Sequence, residues 1–355
     1  MMIHRCAGWF ATALRSGRRA ALLAPLFAVL ATLAMTPAAL AQGGTTVIKL
    51  ATLVPDGSVW DRALKNAGVE WSQNTQGRVS LRIYPGGVAG DEPDIIRKMR
   101  IGQVQASALT VAGLAQIDPA FKVFTIPMYF ESYPELRVVL DKMTPMLKQR
   151  LEAKGFILLN WGHGGWVHIF GKQPVGNIAD VKKLKLWTGV GDDAMVGLWK
   201  KNGYQPVAIA ATDILTGLQS GMLEAIYTTP LAALSLQWFR QVPNMSEVGL
   251  APLVGGTVIT KQAWNKLTEA DRAAILASCA KVEKKLEADV PLQDQYSVAE
   301  MKKRGLKTAP GDRAAWQKEA DLFASQMRGA LVPVDAMDMA RTERDAFRAR
   351  AGAKR

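Results

Sequence analysis

Cysteine and histidine are scarce in this chain of 355 residues, which holds two cysteines and three histidines. Cys6 falls in an N-terminal leader and Cys279 is left alone, so no intramolecular disulfide is expected. His163 and His168 are five apart around a Gly-Gly pair, which is not the i, i+4 spacing of a helical zinc site, and Cys279 is remote in sequence. There is no Gly-x-Ser-x-Gly nucleophile elbow and no Gly-x-x-x-x-Gly-Lys phosphate loop. The glycine-rich stretch Pro85-Gly86-Gly87-Val88-Ala89-Gly90 lacks the Gly-x-Gly-x-x-Gly spacing of a dinucleotide site. An enzyme, a metal and a cofactor are therefore not expected. Beyond residue 41 no apolar run reaches the roughly 20 residues of a spanning helix.

What is present begins with the leader. Arg5, Arg15, Arg18 and Arg19 precede an apolar run over residues 20–35, and Pro37-Ala38-Ala39-Leu40-Ala41 ends it in an Ala-x-Ala pattern. This is the layout of a secretory signal peptide, with cleavage expected between Ala41 and Gln42 and delivery to the periplasm. Cys6 is not at a lipobox-like position, and the residues around Arg18-Arg19 fit a twin-arginine signal poorly. The remaining 314 residues (355 less 41) suggest two domains. Losing four arginines leaves 40 basic against 31 acidic residues, so the formal charge falls from +13 to +9. The basic clusters at 281–285, 302–304 and 341–355 are interleaved with acids and helix formers, which reads as solvated helical faces and not as a nucleic-acid surface.

Hydrophobic periodicity alternates between two and 3.6. Strands are expected at 46–53, 79–83, 106–111, 156–161, 166–170, 185–188, 224–228 and 256–260. Helices are expected from Ser58, which with Asp61 resembles a capping box, and from Asp91-Glu92-Pro93 to residue 101. Others follow from Pro134, over 192–202 with Gly203 as C-cap, over 212–220 before Gly221, and over 231–240. From Thr268 the chain reads as nearly all helical, with Pro291 expected to kink or break it. The fold class is α/β, in two lobes, with long C-terminal helices packing across them.

Several motifs in order carry a resemblance. Gly77-Arg78-Val79-Ser80-Leu81-Arg82-Ile83-Tyr84-Pro85-Gly86-Gly87 is followed by Gly90-Asp91-Glu92, then by Gln103-Val104-Gln105-Ala106-Ser107. Asp180-Val181-Lys182-Lys183-Leu184-Lys185-Leu186 comes next, then Gly203-Tyr204-Gln205-Pro206-Val207 and Leu218-Gln219-Ser220-Gly221-Met222-Leu223-Glu224-Ala225. From Val47 to about Ala330 the chain resembles the DctP-type periplasmic solute receptors of TRAP transporters. The resemblance implies a two-lobed periplasmic binding protein fold that closes on a small organic acid and docks onto sodium-coupled membrane subunits, as a monomer or homodimer. It implies lobe I over 42–164 plus about 253–292, and lobe II with the C-terminal helices over 165–252 plus about 293–355. A receptor for an ABC or tripartite tricarboxylate transporter, or a periplasmic ligand-sensing partner protein, is the alternative.

The family usually clamps the ligand carboxylate with an arginine, whose planar fork matches a carboxylate. Here the position after Lys185-Leu186 is Trp187, and the position of a second common arginine, after Gly165-Trp166, is Val167. Trp161, Trp166, Trp187 and Tyr227 fall at strand ends or lobe-crossing segments, so a more apolar cleft and an aromatic or hydrophobic ligand are expected, with core or hinge packing the alternative for the tryptophans. The carboxyl ends of strands add residues 54–56, Gly86, Gly87, Thr110, Thr228 and Thr229. Glu224 stands where the family has an acidic residue, with a structural role equally open. His163 and His168 could donate hydrogen bonds, or serve as ordinary structural histidines.

Overall fold

The computed structural model describes residues 45–352; the expected leader and its cleavage site lie outside them. Ten strands are present among the described residues: β1 (Thr46–Thr52), β2 (Val79–Tyr84), β3 (Ala106–Thr110), β4 (Phe156–Gly171) and β5 (Lys185–Thr188), followed by β6 (Gln205–Ala208), β7 (Ala225–Thr228), β8 (Asn244–Ser246), β9 (Ala251–Thr260) and β10 (Lys307–Ala309). They hydrogen-bond in the order β2-β1-β3-β9-β4-β7-β5-β6, with β8 and β10 as a side branch off β4. β1 runs parallel to β2 and β3, and β5 runs parallel to β6 and β7, so each half is an α/β layer. The chain thus forms a two-lobed mixed α/β structure.

The two halves meet on β4 and β9, which lie antiparallel from Phe156↔Thr260 to Val167↔Ala251. The sequence suggested two strands at 156–161 and 166–170; the structure has one, carried through Gly162, Gly164 and Gly165. Two register shifts interrupt it, between Leu158 and Asn160 and between His163 and Gly165, so Leu159 and Gly164 are each one residue in excess of their partner strand. Bulges of this kind bend a strand and turn its side chains over.

The helix Glu269–Lys303 spans this crossover. Its 35 residues correspond to about 52 Å at 1.5 Å per residue. The sequence led us to expect Pro291 to kink or break it, yet the helix runs past Pro291. Burial of Leu286 and Val290 ahead of the break point, and of Asp294, Ser297 and Met301 behind it, holds the helix together. Two of its carboxylates reach the bulged strand. Glu283 accepts the Trp161 backbone N–H at 2.9 Å, and Asp294 accepts those of Trp166 at 2.8 Å and Leu231 at 2.9 Å. Burial raises the Asp294 carboxyl to about 6.

Other expectations need correction. The helix expected over 231–240 ends at Ser235, because Gln237 takes a left-handed conformation (φ 58°) and only a short 3₁₀ turn follows. The helix Val111–Ile117 and the 3₁₀ segment Pro119–Thr125 were not anticipated at all. The last helix, Val334–Gly352, packs on the helix Tyr133–Ala153 through Arg348 and Glu135 (2.9 Å). It therefore lies against the first lobe, as one of the C-terminal helices that the sequence kept apart from lobe II proper.

Candidate functional site

Strand polarity places the site. The carboxyl ends of β1, β3, β5 and β7 open into a shared cavity of about 600 Å³ between the lobes. Asn160, Gly162, His163 and Gly164 of β4 line it, and beyond the second bulge Val167 and Ile169 do so, with Trp166 and His168 off the wall. The one-residue bulge switches which parity of β4 points inward.

That switch sorts the expected residues. Val167, Trp187, Thr110, Tyr227 and Thr228 all line the cavity. Trp161 does not: it is buried beside Phe121 and Phe124, ring centroids 6.0 and 6.1 Å away, and its indole N–H donates to Thr144 Oγ1 at 2.9 Å. Trp166 turns outward onto Tyr133, edge to face at 5.3 Å. Glu224 precedes the amino end of β7 and accepts the Lys185 backbone N–H at 3.0 Å, so it is a strand-end tie away from the cavity lining. His163 lines the cavity, whereas His168 is held with Nδ1 2.9 Å from the Ser246 carbonyl. Burial lowers the pKa of both imidazoles, so neither adds a cation near neutral pH.

Gly87 is also displaced from its expected role. It takes φ +75°, and a Cβ there would sit 2.5 Å from Thr212 Cγ2 in the opposite lobe. The glycine lets the lobes approach, while its neighbour Gly86 is the one on the cavity wall. Three polar contacts cross the same gap. The Ala211 N–H donates to Asp91 Oδ2 at 2.9 Å, Gln116 Nε2 donates to the Gly191 carbonyl at 3.2 Å, and Lys122 Nζ lies 2.6 Å from Asp192 Oδ2. The lobes are closed on each other.

The wall is largely apolar. Trp187 lies 5.1 Å from Tyr227, which stacks at 6.3 Å on Trp199, which in turn meets Phe323 at 4.8 Å. The Trp187 indole N–H is used on the Ile209 carbonyl at 3.1 Å, so the ring offers its face rather than its donor. Burial, eased by the Thr188 hydroxyl, raises the Tyr227 phenol to about 12 and keeps it neutral.

Four charged side chains line the cavity: Glu92, Lys122, Asp192 and Glu319. Sequence reasoning named none of them as site residues. Glu92 had a signal, since Asp91-Glu92-Pro93 was read as a helix start; Lys122 had none, because its 3₁₀ segment was unforeseen. Glu92 follows the N-cap Asp91, and its carboxylate accepts the Thr110 N–H at 2.5 Å and hydroxyl at 2.7 Å. Full burial raises its carboxyl from the ordinary 4.5 to about 7. Among the described residues, no grouping of His, Cys, Asp and Glu could hold a metal ion.

Glu92 makes a pH prediction. A carboxyl raised on folding stabilises the fold fully below its unfolded value, and that contribution is lost as pH climbs from 4.5 toward about 7. Over that window the loss is about 3 kcal/mol. Glu92→Gln keeps the acceptor for the Thr110 N–H and removes the buried charge. The variant should melt several degrees above the parent at pH 8 and alongside it at pH 4.5, in differential scanning calorimetry. A difference that does not change with pH would refute this account.

Residues 50–328 match the family described as bacterial extracellular solute-binding protein, family 7, DctP. The chain belongs to the DctP family. YiiZ of Salmonella typhimurium, an uncharacterised relative, is 28% identical over 204 residues, covering 56% of this chain and 62% of that protein. Among solved structures, a TRAP periplasmic solute-binding protein of a Polaromonas species bound to D-erythronate superposes with a TM-score of 0.77 at 22% identity, covering 84% of this chain and 98% of that one. One from Chromohalobacter salexigens with bound D-glucuronate gives 0.76 at 22% identity, covering 84% and 99%. At such identities the structures establish the fold. No described helix of this DctP member is long and apolar enough to cross a membrane.

Proposed function

We propose that this DctP protein is a periplasmic receptor that captures a small organic ligand between its lobes, without turnover, and delivers it to TRAP-type membrane subunits. The ligand we favour is aromatic or otherwise apolar, although the structural neighbours hold sugar acids. One observation carries this: the Trp187 ring, with its N–H already spent, forms an apolar wall with Tyr227 where a carboxylate clamp is usual in the family. A buried ring face contributes through area removed from water, at roughly 25 cal/mol per Å². We further place the lobe boundary at the bulge at Gly164 in β4, with 42–164 and about 253–292 on one side. Capture then stabilises the closed form through contacts with both lobes.

Native mass spectrometry of the purified protein, then a thermal-shift screen, tests the reading. Aromatic and apolar compounds should raise the melting temperature, and four-carbon dicarboxylates should not. Tight binding of simple dicarboxylates alone would sink the apolar assignment.

A further inference from the structure

Three of the four charged side chains on the cavity wall, Lys122, Asp192 and Glu319, are already paired within the protein. Among the described residues Lys122 is the sole cationic lining residue, and both oxygens of Asp192 lie against the ammonium, at 2.7 and 2.6 Å. The two side chains are only 13% and 26% exposed, so the pair is largely shielded from water. Asp192 is further held as the N-cap of the helix Asp193–Lys201, accepting the Met195 N–H at 3.2 Å. Glu319 is met by Lys182 at 2.8 Å, from a residue outside the lining. Glu92 has hydrogen-bond donors but no cationic partner. A ligand carboxylate entering this space would find one occupied lysine and three acidic side chains.

We propose that the cleft selects ligands that carry no free carboxylate, because Asp192 takes the place at Lys122 that a ligand carboxylate would need. The proposal rests on the receptor reading above and narrows it. The same ion pair joins the 3₁₀ segment Pro119–Thr125 of one lobe to a helix start of the other. The cross-cleft attraction is therefore internal to the chain, and the ligand contributes shape and apolar area to closure. A neutral head group such as an amide or alcohol can donate to Glu92 or accept from the Thr228 hydroxyl at no charge cost, while a carboxylate must displace Asp192 or be desolvated unpaired.

The test uses matched head groups. Isothermal titration at pH 7.5 compares 3-phenylpropanamide with 3-phenylpropanoate, and hexanamide with hexanoate, on the full protein. The parent should prefer each amide by about tenfold or more, the range of one or two hydrogen bonds to a charged group. Asp192→Asn retains a good N-cap residue and frees Lys122. It should gain about tenfold or more for the carboxylates, and Lys122→Met in the Asp192→Asn background should abolish that gain. A parent that binds acids as well as amides overturns the proposal and leaves the apolar receptor standing. So does an Asp192→Asn protein that melts normally, binds the amides and gains nothing for the acids. Failure of every probe to bind the parent would remove the apolar receptor reading itself, and this inference with it.

Discussion

Replacing Gly165 with alanine should destabilise the protein by roughly 4 kcal/mol, a loss of about 6 °C in melting temperature for a chain of this size. Gly165 sits in β4 at φ +105°, a conformation that L side chains rarely adopt, and an added Cβ would lie 2.2 Å from Asp294 Oδ2. The strain and the clash reinforce each other. Asp294 cannot simply swing away, because its two oxygens receive the Trp166 and Leu231 N–H groups. Displacing it orphans two backbone donors near the crossover, at about 1–3 kcal/mol each when buried. A double-mutant cycle separates the parts: once Asp294→Ala has been made, Gly165→Ala should cost only its backbone strain, about 1–3 kcal/mol. Additive effects would mean that the carboxylate and the glycine act independently, contrary to the geometry.

Trp187→Arg should lower affinity for an apolar ligand about a hundredfold while leaving the protein folded. Covering about 100 Å² of ring face contributes roughly 2.5 kcal/mol, and a guanidinium in its place brings a hydrated charge to the same wall. The substitution also removes the donor to the Ile209 carbonyl and the contact with Tyr227 at 5.1 Å. Trp187→Phe keeps a ring but loses the N–H, so it should fall between the two in titration calorimetry. Unchanged affinity for the arginine variant would reduce Trp187 to packing.

Much of the α/β order was legible because period-2 and period-3.6 patterns are local. β5 was read from sequence to the residue, and Trp187 falls on the cavity wall, since a short strand without bulges keeps its alternation. Trp161 and Trp166 take the packing alternative, and one feature keeps both off the wall. Counting by twos along β4 from either end selects the wrong face at the other, because the extra residue Gly164 reverses the parity in between. Nothing in the sequence near residue 164 announces that reversal except a run of glycines. Glu224 takes the structural role that the sequence left open, since it stands at the amino end of its strand, away from the cavity. Lys122 and Asp192 are 70 positions apart, and only the closed lobes reveal their pairing. Glu92 was visible as a helix-start residue, but its partly neutralised state comes from burial among other elements, against which the Thr110 N–H and hydroxyl favour the charged form.

The two carboxylates of the long helix also act as a two-point fastening. Glu283 and Asp294 are eleven residues apart, about 16.5 Å of α-helix. The N–H groups they hold, on Trp161 and Trp166, are five residues apart with the extra residue Gly164 between them, so they span four residues of β9, Gly256 to Pro252, about 13 Å. The two side chains take up the difference, so the helix fastens β4 on both sides of the bulge at Gly164. One residue more or fewer between the tryptophans would move one end by about 3.3 Å, far beyond what a hydrogen bond tolerates. Insertions and deletions should therefore be excluded from this stretch, and the crossover should travel with the helix as one body when the lobes part.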